Sequence, residues 1–488
     1  MVRYDVVIIG TGLGGLECGF LLSKKGYKVC LIEKEAQTGG CMQTFKRNGC
    51  LFDTGFHYVG GLDKGQTLHE IFNYFGLLHL PWHKMDENGY EEIFLDNESY
   101  LYPFGHQNFV NNLSERFPHQ QKNIERYTSF LKSVGKDIFD AFESKTNLHR
   151  FYTSMFARPA EKFIRETFDD EKLIRVVTGP AFKIGAYNKK LPLYTYAQIN
   201  ESFMESAWRI KGGGSLISDA LSSQIKSMGG TILTRCKVVS LEENDKIITA
   251  AILDNHEKIE GDIFISNVHP KRTLEFLKES KNVRPSFRSR IDSLNNSSGA
   301  FTVNIKLKEN RIPYLNRNLH IYKKQKYLFV SYAVPIEDSP YASNIDLITT
   351  MAWEDVSKWE KSTIGKRGND YLEFKQKHAE EYVALANEYI PGLKDAVDKV
   401  YTSTPLSYYD FTGTEQGSAY GITKDYERTM HTILAPNTPI KNLLLTGQNL
   451  CVHGVLGVSM TSLITCSQIP GMENILEEIH KGNIGRFE

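Results

Sequence analysis

Gly10, Gly12 and Gly15 stand in the spacing G-x-G-x-x-G, and Glu33 follows Gly10 by 23 residues. Glycines at this spacing can hold a pyrophosphate. The first permits a tight turn, the second lets backbone N–H groups approach the phosphates, and the third lets helix and strand pack closely. An acid placed like Glu33 accepts a hydrogen bond from a ribose hydroxyl. The chemistry read from these four residues is dinucleotide binding.

The elements needed to position them lie around them in the right order. Val6–Ile9 is a β-branched run suited to a buried parallel strand. Leu16, Phe20, Leu21 and Leu22 mark the helix that follows, whose N-terminus offers orphan donors and a positive dipole end to phosphate. Val29–Ile32 is a second apolar run, ending at Glu33. A lone glycine motif is weak; strand, turn, helix, strand and acid together specify a Rossmann unit.

A glycine pair and three longer strings extend the pattern. Gly39 and Gly40 follow Glu33, and FDTGFHYVGGLDKG begins at Phe52. TPLSYYDFTGTEQGSAYG runs from Thr404 to Gly421 and, being rich in Gly, Tyr and Thr, reads as a loop. Near the end, KNLLLTGQNLCVHGVLGVSMTSLI predicts a strand at Leu443–Leu445, a turn at Thr446-Gly447 and a helix from Gly454. With these residues the chain resembles the flavin amine-oxidase and phytoene-desaturase superfamily. The FDTG-x-HY-x-G string most resembles its retinol-saturase and carotenoid-isomerase branch, over essentially the full length of the chain.

The resemblance implies non-covalent FAD. In the first unit it would be held by Gly10, Gly12, Leu13, Gly14, Gly15, Glu33, Lys34, Gly39, Gly40, Cys41, Asp53, Gly55 and His57. Val238 would meet the adenine through its backbone, and Gly447, Asn449, Gly457 and Val458 would complete the site. Gly447-Gln448-Asn449 replaces the family's usual Gly-Asp or Gly-Glu, and an amide can still hydrogen-bond. The helix from Gly454 would face the flavin pyrimidine and stabilise the charge of reduced flavin. The resemblance also places the 404–421 string in the cavity wall near the flavin.

The implied reaction is at C=C or CH–CH bonds of an apolar isoprenoid polyene, a retinoid or carotenoid. A hydride moves between carbon and flavin, and a proton is added or removed at the neighbouring carbon. His57 is the first candidate for the proton and His453 the second, with a structural role as the competing reading of each. Saturation, desaturation and isomerisation remain open. So do two other functions: an amine-oxidase-type enzyme on a smaller polar substrate, and a prenyl-lipid-binding protein without catalysis, like the Rab GDP-dissociation inhibitors. No second G-x-G-x-x-G follows a strand, so no separate NAD(P)H domain is read, although NAD(P)H stays open as electron donor.

Composition bounds the rest. The chain has 488 residues, more than one core usually holds. Its 58 Lys plus Arg balance 58 Asp plus Glu, giving no basic surface for nucleic acid. Seven scattered cysteines without C-x-x-C point to a reducing cytoplasm, and no metal-ligating cluster is read. Cys41 and Cys50 are too widely spaced for the paired cysteines of disulfide reductases. No window is apolar enough for a membrane span, and no signal peptide precedes the first strand. Basic and aromatic residues interleave over 148–165, among them Arg150, Phe151, Arg158, Phe163 and Arg165. That pattern suits either peripheral membrane contact or a solvated helix with buried aromatics.

The expected fold is an α/β FAD-binding Rossmann-type domain, discontinuous in sequence, with an inserted mixed α+β substrate domain. The first comprises 1–65, 205–275 and 437–488; the second, 66–204 and 276–436. Ile124, Tyr127, Leu131, Val134, Ile138 and Phe142 predict a long amphipathic helix, and Asn369–Tyr389 predicts another. Strands are expected at Phe301–Leu307, Tyr327–Val334 and Asp346–Trp353.

Overall fold

The computed structural model describes residues 2–135, 154–180, 182–185 and 189–484. Two seven-stranded sheets organise it. In the first, the order is Thr231–Leu233, Val29–Ile32, Arg3–Ile9, Lys258–Ser266, Ile247–Leu253 and Val238–Asn244, with Leu443–Leu445 also paired to Lys258–Ser266. The strands from 3, 29, 231, 258 and 443 run parallel, and the 238–253 hairpin adds an antiparallel edge. Val6, Val7, Ile8, Val29, Cys30 and Leu31 have no exposed surface. Their continuous apolar runs therefore bury both faces, as a parallel sheet requires.

Four parallel strands stop where a turn begins: Ile9 before Gly10, Ile32 before Glu33, Ser266 before Asn267, and Leu445 before Thr446-Gly447. This is the carboxyl edge, where open α/β sheets place ligands. Residues more than 400 positions apart thus share one edge of one sheet. The first helix, Leu13–Lys24, packs on the helix Gly454–Cys466. Both N-termini lack a side-chain cap, leaving their N–H groups for a ligand.

The second sheet runs Val397–Ser403, Gly299–Leu307, Asn344–Met351, Lys326–Tyr332, Asn318–Lys323, Glu91–Leu95 and Glu98–Tyr102. All its pairings are antiparallel except Asn318–Lys323 with Glu91–Leu95. Its architecture is the second, mixed α+β half of the molecule. Arg209 ties the halves together. This guanidinium, 2% exposed, donates to Tyr314, Leu315, Arg317 and Asn318 from the strand Ala207–Ile210.

One local expectation fails. Thr404–Gly421 is not all loop, because Pro405–Thr412 is helical. Thr404 caps it, accepting from the Leu406 N–H at 3.2 Å, and Ser407 closes a capping box. Pro405 then takes the first helical position, where its missing N–H costs nothing. The predicted helix at 369–389 is Asn369–Asn387. The helix over 124–142 is described as Gln121–Gly135, with Ile138 and Phe142 outside the described residues. Of the 148–165 segment, Arg150, Phe151 and Tyr152 also lie outside them. Its helix Ala160–Thr167 buries Phe163 and pairs Lys162 and Arg165 with Glu166 and Glu161. Among the described residues, no helix is long and apolar enough to cross a membrane.

Candidate active site

A cavity of about 810 Å³ opens along the carboxyl edge and continues between the sheets. That is at the upper end of small-molecule sites, roughly 300–1,000 Å³. One part is a groove floored by Gly10, Gly12, Gly14 and Gly447. Gly10 has φ +91°, and its N–H donates to the Ile32 carbonyl at 2.8 Å. That positive φ is the turn's reason for glycine. A Cβ at Gly15 would collide with the Gly10 carbonyl oxygen, so Gly15 serves packing and does not line the cavity.

Asn267 is the residue that motif reading missed. It follows Ser266 at the edge, and its side chain lies against Gly12, Gly14, Gly15 and Gly447. One amide thus braces both glycine turns, and no sequence signal beyond a polar residue after a strand announced it.

Glu33 closes the groove. Its Oε2 accepts from the Thr11 N–H at 3.0 Å and the Thr11 hydroxyl at 2.6 Å, and its Oε1 accepts from the Glu35 N–H at 3.0 Å. The carboxylate is therefore oriented before any ligand arrives. Lys34 lines the cavity while its Nζ donates to the Asp410 carbonyl at 2.6 Å. Val238 also lines this end. Leu13, Gly39, Gly40, Cys41, Gly55, Asn449, Gly457 and Val458 all reach the wall as well. Asp53 does not. Its carboxylate accepts from the Gly214 N–H at 2.7 Å and secures the Gly212–Gly214 turn. The DTG acid thus braces that turn from behind the cavity wall.

Beyond Gly55 the cavity becomes an aromatic chamber. Phe56, Tyr58, Phe182, Phe203, Phe329 and Tyr420 face it. Phe329 stacks on Phe182 at 5.5 Å and on Tyr58 at 6.1 Å. The segment from Tyr408 to Tyr420 spans the site. Tyr408 donates to the Thr54 carbonyl at 2.8 Å, and Phe411 to Thr414 lie towards Lys34. The segment thus lines the groove as well as the chamber.

Both candidate histidines reach the chamber. Burial and the Arg209 charge push His57 down to about 4, and its Nδ1 is 3.9 Å from Asp346. Asp346 is itself raised to about 7 by burial, while Asn304 donates to it at 2.6 Å. His453 is pushed by burial to about 4; its Nε2 lies 3.1 Å from the Lys183 carbonyl, and its ring lies 4.4 Å from Tyr420. At neutral pH both rings are neutral.

Behind Tyr58 is a buried charge cluster that the sequence did not announce. Glu91 has no exposed surface; it accepts from Tyr58 at 2.6 Å and pairs with Lys183 at 3.2 Å. His320 Nε2 is 3.5 Å away. Burial alone would raise the Glu91 carboxyl, but Lys183, His320 and Tyr58 hold it at about 2.

Glu17 links the two helices whose N-termini line the cavity. Ser459 and Ser462 donate to its two oxygens at 2.6 and 2.7 Å, and burial raises its carboxyl to about 8. The folded state therefore holds a proton that the unfolded chain releases near 4.5. This stabilisation is full below pH 4.5 and is lost as pH rises through 8, by at most about 1.4 kcal/mol per unit. Glu17→Gln should remove that slope. Melting temperatures of both proteins between pH 5 and 8.5 should converge at the acid end and separate at the alkaline end, with the variant higher.

A Rossmann edge with two uncapped helix N-termini, a pre-oriented acid and an adjoining chamber defines a dinucleotide-dependent oxidoreductase. The NAD(P)-binding Rossmann-like domain model matches residues 8–75. All-trans-retinol 13,14-reductase of Danio rerio is 25% identical over 95% of this chain and 85% of its own. The chloroplastic prolycopene isomerase of Daucus carota is 22% identical over 96% and 80%. A crystallised Methanosarcina mazei oxidoreductase shares the fold with TM-score 0.66, at 16% identity over 95% of this chain and 99% of that one. Over nearly its full length the chain is thus similar to proteins named as a retinol reductase and as a carotenoid isomerase, and it shares the fold of solved oxidoreductases.

Proposed function

We propose that this chain binds FAD non-covalently and uses it to reduce, or otherwise rearrange, a conjugated C=C bond of an apolar isoprenoid polyene. The observation that carries this reading is the make-up of the cavity walls. The only carboxylates among the described lining residues are Glu33 and Glu275, both on the dinucleotide side, and Glu275 is paired with Arg272. The chamber itself is walled mainly by aromatic and aliphatic side chains, with His57, His453 and Lys183 also lining it. A polyene needs an apolar slot, and no carboxylate among the described lining residues stands in the chamber to hold an amine as its ammonium ion.

FAD would be held by the Gly10–Gly14 turn, Glu33, Val238, the Gly447 turn and the N-terminus of Gly454–Cys466. Bound there, it would supply hydride chemistry. The protein's own contribution would be to adjoin the groove to the chamber and to exclude water through the aromatic wall. The uncapped helix at Gly454 stabilises negative charge beside it. The names of the relatives support the choice of retinoid or carotenoid over other apolar ligands.

The test is anaerobic incubation of dithionite-reduced protein with retinoids, carotenoids and polar amines. Flavin reoxidation coupled to loss of polyene absorbance is the expected result. Altered isomers without net reoxidation would mark the isomerase variant of the same reading. Oxidised enzyme bleached by an amine, while every polyene is ignored, would overturn it.

A further inference from the structure

Reduction of a C=C bond needs a proton as well as a hydride, and the chamber offers few groups able to give one. His57 and His453 are neutral at physiological pH. Burial pushes the phenols of Tyr408 and Tyr420 up, and raises the Cys451 thiol to about 11. Lys34, Lys237 and Arg272 belong to the dinucleotide side. Lys183 remains. It lines the chamber beside Phe203, with its Nζ 4.7 Å from that ring, and it is held from behind by Glu91 at 3.2 Å.

We propose that Lys183 is the proton donor of the polyene reaction and that Glu91 and Tyr58 are positioning residues that hold its ammonium at the wall. This rests on the polyene reading above. In the step, reduced flavin held in the groove would supply a hydride to one carbon of the double bond. The π pair forms the second C–H bond with a proton from Lys183 Nζ, whose N–H bond breaks. The product is the CH–CH compound, the flavin is left oxidised, and Lys183 is left as a neutral amine that regains a proton from water when product leaves. Burial lowers the Lys183 pKa although Glu91 opposes it, which favours surrender of the proton.

The test uses reduced holoenzyme bearing Lys183→Met together with Glu91→Gln, so that no unpaired charge is buried, and separately Lys183→Arg. Polyene-coupled flavin reoxidation should fall about 10²–10⁴-fold in both. Polyene binding to the oxidised enzyme, read from the shift of its absorbance, should persist. Arginine keeps the charge but does not release its proton, so it should not rescue; rescue by arginine would indicate a merely structural cation and overturn the proposal. A second measurement needs no turnover. Oxidised wild-type enzyme treated with a long-chain apolar aldehyde and cyanoborohydride should be alkylated at Lys183 ahead of its surface lysines, as mapped by mass spectrometry. No adduct at Lys183 would show that Nζ does not face the chamber and would overturn the proposal. Variants that reduce polyene at the wild-type rate would overturn it while leaving the polyene reading intact. Wild-type enzyme that reduces no polyene would overturn that reading, and the proposal with it.

Discussion

Replacing Gly12 by valine should yield folded protein with almost no bound flavin. Gly12 has φ −59°, which valine accepts, so the backbone has no reason to unfold. Its Cβ would meet Asn267 Nδ2 at 2.8 Å, and the remaining methyl groups would fill the groove where N–H groups must reach phosphate. Gly15→Val provides the contrast. Its side chain would strike the Gly10 carbonyl within the turn itself, so that variant should lose the fold along with the cofactor. The ratio of flavin to protein absorbance after purification, read beside far-ultraviolet circular dichroism, separates the two. A fully yellow Gly12→Val protein would contradict the assignment of the groove.

Glu91→Leu should be the most destabilising single change in the second half of the molecule, by about 3–5 kcal/mol. It leaves the Lys183 ammonium, 8% exposed as a residue, without its carboxylate, and leaves Tyr58 without its acceptor. Removing both charges, as Glu91→Leu with Lys183→Met, should recover most of the loss, because a buried pair is worth little against apolar packing once neither charge is stranded. Denaturation midpoints of the wild type, both single variants and the double variant close the cycle. Acid should act in the same direction. The folded carboxyl titrates at about 2 against 4.5, so its contribution is complete above pH 4.5 and is lost as pH falls towards 2. A double variant no better than Glu91→Leu would mean that the cluster stabilises by shape and not by charge.

The legible and the illegible parts of this chain differ in how far apart their causes lie. Gly10, Gly12, Gly15 and Glu33 could be read because 24 consecutive residues contain the whole unit. Gly447 and Gly454 could be read because strand, turn and helix again follow one another. Asn267, Lys183 and Glu91 could not, since each acquires its role only when a distant strand or turn arrives beside it. Asp53 was legible as part of a string but not as a brace, because its partner Gly214 is 161 residues away. At 404–421, composition overrode a local signal that was present: Thr404 followed by Pro405 is a helix start, and the glycines and tyrosines around it obscured that. Asn318–Lys323 escaped notice because its burial comes from neighbouring strands, and Val397–Ser403 because it is a largely solvent-facing edge strand without apolar alternation.

The shared carboxyl edge has a consequence for how the protein is made. Gly10 to Glu33 leave the ribosome early, but Asn267, the Gly447 turn and the helix ending at Cys466 come much later. At 5–20 residues per second, roughly 20–90 s separate the first half of the cradle from the last. During that interval the strand Lys258–Ser266 has no Leu443–Leu445 beside it, and Glu17 has no Ser459 or Ser462 to bond. A nascent chain stalled before Leu443 lacks both the Gly447 turn and the helix Gly454–Cys466, so the cradle proposed above for the cofactor is complete only once these last elements have been made.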